Sequence, residues 1–289
     1  MRVVVTGANG LIGRHFIEHC ADEYDITALT RNEVVPAHSC ENVVWVSTDY
    51  SQASLADIFS HADAILHLAS IRPYVSSDCY LENIELDTHV FKAANEAGVS
   101  NVVCTSSCSV YGHAPTPWIE TDERSPQTEY ALSKAVSETS ATYFNSKYDM
   151  KIKMLRLAQV LSHLEFEGGM LRTFFDHASQ GKELKVTVCG LFREYIYVLD
   201  VVSALSSALQ SRNINGIFNV GTGTKVSIDE IAASVATAFD RKQLVSIDEN
   251  RKNIAIDSLM DSSKFYKQFS WKPEFSFQTA INDIVKKYY

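Results

Sequence analysis

Tyr130 and Lys134 stand four residues apart in the run YALSK. On a helix that spacing places both side chains on one face. An ammonium beside a phenol stabilises the phenolate form, which makes Tyr130 a candidate general acid/base. The alternative is an ordinary exposed helix pair. Just upstream, NVVCTSS ends in three hydroxyls, Thr105, Ser106 and Ser107. A serine there can hydrogen-bond the same substrate oxygen that the phenol protonates, or the segment is a polar turn closing a strand.

The elements that must position these groups begin at residue 2. RVVVT reads as a strand, and it runs through TGANGLIG (6–13) into the helical stretch LIGRHFIEHCADE. A strand ending in three spaced glycines, Gly7, Gly10 and Gly13, and followed by a helix fits the dinucleotide fingerprint. One glycine permits the tight turn, another lets N–H groups approach a pyrophosphate, and the last lets helix pack on strand. Asn9, Leu11 and Ile12 belong to the same cofactor loop. The helix N-terminus then presents unpaired donors and a positive dipole end to the phosphates. At the end of the second strand, DITALTRN, an acidic residue would grip the ribose of NAD. Thr30 and Arg31 stand there instead, and Arg31 can pair with the 2′-phosphate of NADP or lie on the adenine. Asp49, with Tyr50 beside it, is placed to accept from the adenine amino group, or else caps the helix SLADIF.

Further along, strands and helices alternate: VVWVS, SLADIFSHA, ADAILHLAS, ENIELDTHVFKAANEAG, NVVCTSS, the helix of residues 129–148, and KIKMLRLAQV as a strand over 151–160. Short apolar strands separated by helices describe an α/β fold, a doubly wound parallel sheet of Rossmann type. After residue 160 the pattern changes to helices (MLRTFFDHASQG, VVSALSSALQS, IDEIAASVATAF) with short strands between them, and the tail ends in a helix. Residues 1–160, rejoined in part by 187–222, are expected to form the dinucleotide-binding domain. Residues 161–186 and 223–289 are expected to form a smaller substrate lobe.

Composition narrows the partners. The chain has 289 residues and a formal net charge of −9, so no basic stripe exists to displace counterions from a nucleic acid. No apolar run is long enough to cross a bilayer, and no signal-like pattern stands at the start. The six cysteines are scattered without ligand-like spacing, which reads as reduced thiols and a cytoplasmic protein. His67 and His113 are expected to be packed or solvated, and no metal is predicted.

TGANGLIG, HLAS, NVVCTSSCSVYG, YALSK, MLRLAQV, FREYIYVLD and IFNVGTGT, in this order, resemble the extended short-chain dehydrogenase/reductase family. The branch is that of nucleotide-sugar epimerases, dehydratases and ketoreductases, UDP-galactose 4-epimerase-like, and the resemblance runs from residue 1 to about Pro273. It implies NAD or NADP as cofactor and a nucleotide-diphosphate sugar as substrate. It also implies a small sugar-binding lobe and a homodimer paired through residues 83–98 and 130–148. By resemblance Tyr130 is the acid/base, Lys134 holds the nicotinamide ribose, and Ser107 is the catalytic hydroxyl. Leu68 and Ala69 of HLAS line the cofactor, and Asn83 opens the helix that follows. Arg193 of REYIYV and Arg251, ten residues before Asp261, match two arginines that grip the diphosphate. Gln159 stands where the family has an asparagine on the substrate, and Ser162 where it has a glycine. The loop after Gln159 is short, which implies an abbreviated sugar pocket. Cys108 and Ser109 replace the acidic pair of 4,6-dehydratases. The expected activity is therefore hydride transfer at a sugar carbon, C4 by resemblance, as a 4-epimerase. The alternatives are an NADPH-dependent 4-ketoreductase and, more distantly, a non-catalytic dinucleotide sensor.

Overall fold

The computed structural model describes residues 1–31, 42–72, 79–166 and 168–289. Seven strands form one parallel sheet: β1 Arg2–Thr6, β2 Asp25–Thr30, β3 Val44–Ser47, β4 Ala64–His67, β5 Asn101–Ser107, β6 Lys151–Leu157 and β9 Gly216–Val220. Their order across the sheet is β3-β2-β1-β4-β5-β6-β9. The order reverses between β1 and β4, and an α/β sheet opens its ligand crevice at such a reversal, beyond the carboxyl ends of its strands. Apolar runs such as Val3–Val5 and Ala64–Leu66 are buried because helices cover both faces. On one side lie α1 (Leu11–Cys20) and α6 (Val198–Gln210). On the other lie α2 (Gln52–Phe59), α3 (Tyr80–Glu96) and α4 (Glu129–Tyr148). The expected doubly wound fold is present.

α4 occupies the predicted residues 129–148, because both ends carry stop signals. Thr128 accepts a hydrogen bond from the Ala131 N–H at the start, and Asp149 takes a left-handed conformation at the end. Other boundaries move for local reasons. α1 stops at Cys20, where a turn bonds the Glu23 and Tyr24 N–H groups to the Cys20 carbonyl. The expected strand over 151–160 breaks after Leu157. Ala158 bonds to Val220 of the large sheet, and β7 (Gln159–Leu161) leaves to pair with β8.

The region after residue 160 differs from expectation. Its strands are long, not short: β8 spans Leu184–Tyr197 and β11 spans Val245–Asp257. With β7 and β10 (Lys225–Ser227) they form a second sheet. Helices α5 (Met170–Ser179), α7 (Ile228–Ala238) and α9 (Phe277–Tyr288) pack around it in a core of their own. α8 (Ser263–Phe269) packs on β9 through the Phe265, Phe269 and Phe218 rings. None of the described helices is long and apolar enough to cross a membrane.

Candidate active site

Gly7 follows β1 with φ of +66°, and a Cβ there would lie 2.5 Å from the Ala69 backbone nitrogen. Glycine alone meets both constraints. At Gly13 a Cβ would lie 2.4 Å from the Gly7 carbonyl oxygen, so α1 sits directly on the loop that precedes it. α1 starts at Gly10, which has no side chain to cap it, and its first turn holds no acidic residue. The N–H donors and dipole of α1 are thus left for an anion. Asn9 places a buried Oδ1 at this loop without a partner, while the Arg14 side chain holds the Asn9 carbonyl at 2.9 Å. Leu11 is half-buried and Ile12 lies in the core. An uncapped helix end and an orphaned acceptor fit a pyrophosphate with its adjoining ribose.

On the β2 side, Tyr50 is buried with a left-handed backbone. Its hydroxyl accepts from the Gly7 N–H at 3.4 Å and donates to the Leu29 carbonyl at 3.3 Å. Tyr50 therefore props the glycine loop. Arg31 is exposed, 6.0 Å from the Tyr50 ring centre, and Thr30 is buried. Asp49 is exposed and accepts from the Ser51 N–H at 2.9 Å. The helix cap that was the alternative reading of Asp49 is supplied by Ser51, which accepts from Ser54.

Between β1 and β4 runs a buried chain of hydrogen bonds that sequence reading did not detect. Thr6 Oγ1 accepts from the Leu68 and Ala69 N–H groups, each at 3.2 Å, and meets His67 Nδ1 at 2.6 Å. His67 Nε2 reaches Asp87 at 2.7 Å, and Ser137 of α4 donates to the other Asp87 oxygen at 2.5 Å. Burial pushes the Asp87 carboxyl up, yet the Lys134 ammonium and the His67 hydrogen bond hold it below the ordinary range. Asn83 is also buried. Its amide accepts from Ile71 N–H at 2.7 Å and donates to the Ile71 carbonyl at 3.0 Å, so it braces the loop after β4.

That loop delivers Arg72, whose guanidinium carbon lies 5.1 Å from the Tyr130 ring centre. Lys134 Nζ lies 5.9 Å from the same ring. Tyr130 is 9% and Lys134 3% exposed. Among the described residues neither the Tyr130 hydroxyl nor the Lys134 ammonium has a hydrogen-bond partner. Arg72 was missed because a lone arginine after HLAS carries no spacing signal. Along β5 the side chains alternate. Ser106 turns to the core and donates to Glu138 at 2.7 Å, whereas half-buried Ser107 accepts from the N–H and the hydroxyl of Ser109, at 3.2 and 2.9 Å.

On the second sheet, Arg193 is half-buried on β8, its charge is felt at Cys108, and it has no ion-pair partner among the described residues. Arg251 is bound by Asp229. Its neighbour Lys252 pairs with Val188, which puts Arg251 about 20 Å along the ladder from Arg193 at about 3.3 Å per residue. The strands therefore do not bring the two arginines together. Gln159 is exposed beyond the end of β6, opposite Tyr195 of β8, whose buried hydroxyl has no partner. Glu194 accepts from the N–H groups of Thr222, Gly223 and Met260, each at 2.7 Å, and latches the loop after β9 to the second sheet.

Residues 3–221 match the model of a family described as NAD dependent epimerase/dehydratase. The chain belongs to that family. This epimerase/dehydratase chain is 28% identical to UDP-glucose 4-epimerase of Mycolicibacterium smegmatis, covering 99% of this chain and 98% of that one. It is 24% identical to dTDP-4-dehydro-6-deoxyglucose reductase of Escherichia coli, over 98% and 96%. Among solved structures, UDP-N-acetylglucosamine 4-epimerase from Bacillus cereus superposes with a TM-score of 0.89 at 27% identity, over 99% and 98%. The expected family and its nicotinamide dinucleotide are thus established for this epimerase/dehydratase member, an enzyme of a family that acts with NAD.

Proposed function

We propose that the protein is a 4-epimerase of a nucleotide-diphosphate sugar. One observation carries this reading: a phenol and an ammonium, Tyr130 and Lys134, are buried together with no hydrogen-bond partner for either among the described residues. A dinucleotide held in the crevice by the glycine loop would accept hydride from a sugar carbon, C4 in this reading, and supply it again to the opposite face of that carbon. Tyr130 removes the proton of that carbon's hydroxyl and gives it back, Ser107 holds the oxygen, and Lys134 and Arg72 balance the phenolate charge. Gly7, Asn9, Gly10, Leu11, Ile12 and Gly13 receive the pyrophosphate. Thr30, Arg31, Asp49 and Tyr50 surround the adenosine, and Leu68, Ala69 and Asn83 form the opposite wall. Arg193 meets the substrate diphosphate and Gln159 contacts the sugar, whereas Arg251, bound by Asp229 and far along the ladder from Arg193, is not assigned to the diphosphate.

Loss of water from the sugar needs an acid beside Ser107, and this chain has Cys108 there. Burial pushes that thiol up to about 11, so it is too weak an acid for the step. The second reading is a 4-ketoreductase that uses NADPH. It is favoured by Arg31, an exposed cation at the adenosine end with no carboxylate partner among the described residues. Denaturing the purified protein and identifying the released dinucleotide separates the two. Bound NAD(H), with interconversion of UDP-sugars and no added cofactor, supports the epimerase. An empty protein that consumes NADPH once per 4-keto sugar replaces it with the reductase. A second copy of the chain is placed against α3 and α4, where Leu81, Leu132 and Tyr143 are exposed. Sedimentation velocity checks that dimer.

A further inference from the structure

We infer that one face of α1 is a binding site for a divalent metal of the zinc class, made by His15, Glu18 and His19. The three residues stand at i, i+3 and i+4, so the helix projects them from one side. One ligand atom of each lies within 4.8 Å of the others. The order H-x-x-E-H is also one in which zinc enzymes place two metal-binding histidines on a helix, the glutamate there acting as base where Glu18 here is taken as the third ligand.

His15 is the decisive member. It is 2% exposed, and its Nδ1 is buried with no hydrogen-bond partner among the described residues. That atom lies 3.8 Å from the Glu18 carboxylate, close to the edge of about 3.3 Å that a tetrahedral site requires with bonds of about 2.05 Å. The other ring nitrogen, Nε2, meets Ser162 Oγ at 3.0 Å. His19 spends its Nδ1 on the His15 carbonyl at 2.9 Å. Each imidazole thus has one nitrogen tied to a second partner, the arrangement that orients metal-ligating histidines. Ser162 is the residue that replaces the family's glycine, and a glycine could not hold His15 in this way. Glu18 and His19 are exposed, so rotamer changes close the site and solvent completes the coordination. Lys287, a cation whose charge reaches His15, is paired with Asp283 at 2.8 Å. No metal is expected from the sequence, where His15, Glu18 and His19 are not singled out.

The test is titration of the tag-free, chelator-treated full chain with Zn2+ by calorimetry, and with Co2+ by visible absorption. The expected result is one ion per chain, a thermal midpoint raised by Zn2+, and Co2+ bands free of thiolate charge transfer. His19→Gln and Glu18→Gln change exposed residues and should each weaken binding at least tenfold while leaving the metal-free melting curve unchanged. Ser162→Gly should weaken it about tenfold through the lost second-sphere bond. Absence of saturable binding, equal binding by His19→Gln, or thiolate charge-transfer bands would each overturn the assignment.

Discussion

One turn of α4 separates two buried charges that the protein treats in opposite ways. Glu138 is saturated. Its carboxylate receives Arg156 through two bonds, at 2.8 and 2.7 Å, and a third from Ser106 at 2.7 Å. Arg156 continues to the Tyr111 hydroxyl, which donates to Asn219, so one network ties α4 to β5, β6 and β9. Lys134, equally buried, has no acceptor at all among the described residues, and Tyr130 beside it has none either. A buried polar group without a partner is costly unless something outside the protein completes it. The saturated half of the contact holds the helix in place, and the unsaturated half waits for ligands.

The largest expected effect breaks the unsaturated half. Tyr130→Phe removes one oxygen that makes no hydrogen bond among the described residues, so the fold should survive. Turnover of every sugar nucleotide should fall by about 10²–10⁴, the usual share of a general acid/base, while dinucleotide binding persists. Steady-state rates and a fluorescence titration read the two quantities. Unchanged turnover would remove Tyr130 from the chemistry.

Next comes the contrast itself. Glu138→Gln leaves Arg156 buried without a counter-charge and should cost about 3–5 kcal/mol in urea unfolding. Lys134→Met, one turn away, removes a cation that has no hydrogen-bond acceptor among the described residues and that faces the Asp87 charge. Its unfolding midpoint should fall less than that of Glu138→Gln even as activity is lost. If both variants lost stability alike, the distinction between the two ends of the contact would fail.

Much of this arrangement was legible because its signals are local. The three glycines announce a turn whose Cβ positions are occupied, and Thr128 and the left-handed Asp149 bound the helix that carries Tyr130 and Lys134. Ser107 could be chosen over Ser106 only by resemblance, and alternation along β5 then turned Ser106 to Glu138. What escaped notice depends on pairing across the interior. His67 was expected to be packed or solvated and is packed, but its partners Thr6 and Asp87 are 61 and 20 residues away, and no pattern links them. Arg72 meets Tyr130 only because Asn83 braces a loop from a separate helix. The long strands β8 and β11 were read as short because β11 carries the charged run DENRK at its centre and has register shifts against β8. Neither strand has the steady apolar alternation that marks a strand in sequence.

The smallest effect probes the link between the two halves. Asp87 is bound by His67 and Ser137, and its charge faces Lys134, so it is the one anion that offsets the unpartnered cation. Burial opposes its ionisation, but Lys134 and His67 win and its folded pKa lies below the ordinary value. A carboxylate depressed in this way contributes stability that is present above its unfolded pKa, about 3.9. That contribution is lost as pH falls through the folded value. Wild-type protein should therefore lose stability below about pH 4, and Asp87→Asn should show a shallower decline in that window. Asn keeps an oxygen for His67 or Ser137 but not the charge, so the variant should be weaker at neutral pH by about 1–3 kcal/mol. Urea midpoints measured from acid to neutral pH give both numbers. An unaltered acid slope would mean that Lys134 does not depend on Asp87, and the cation would then rest on bound ligand alone.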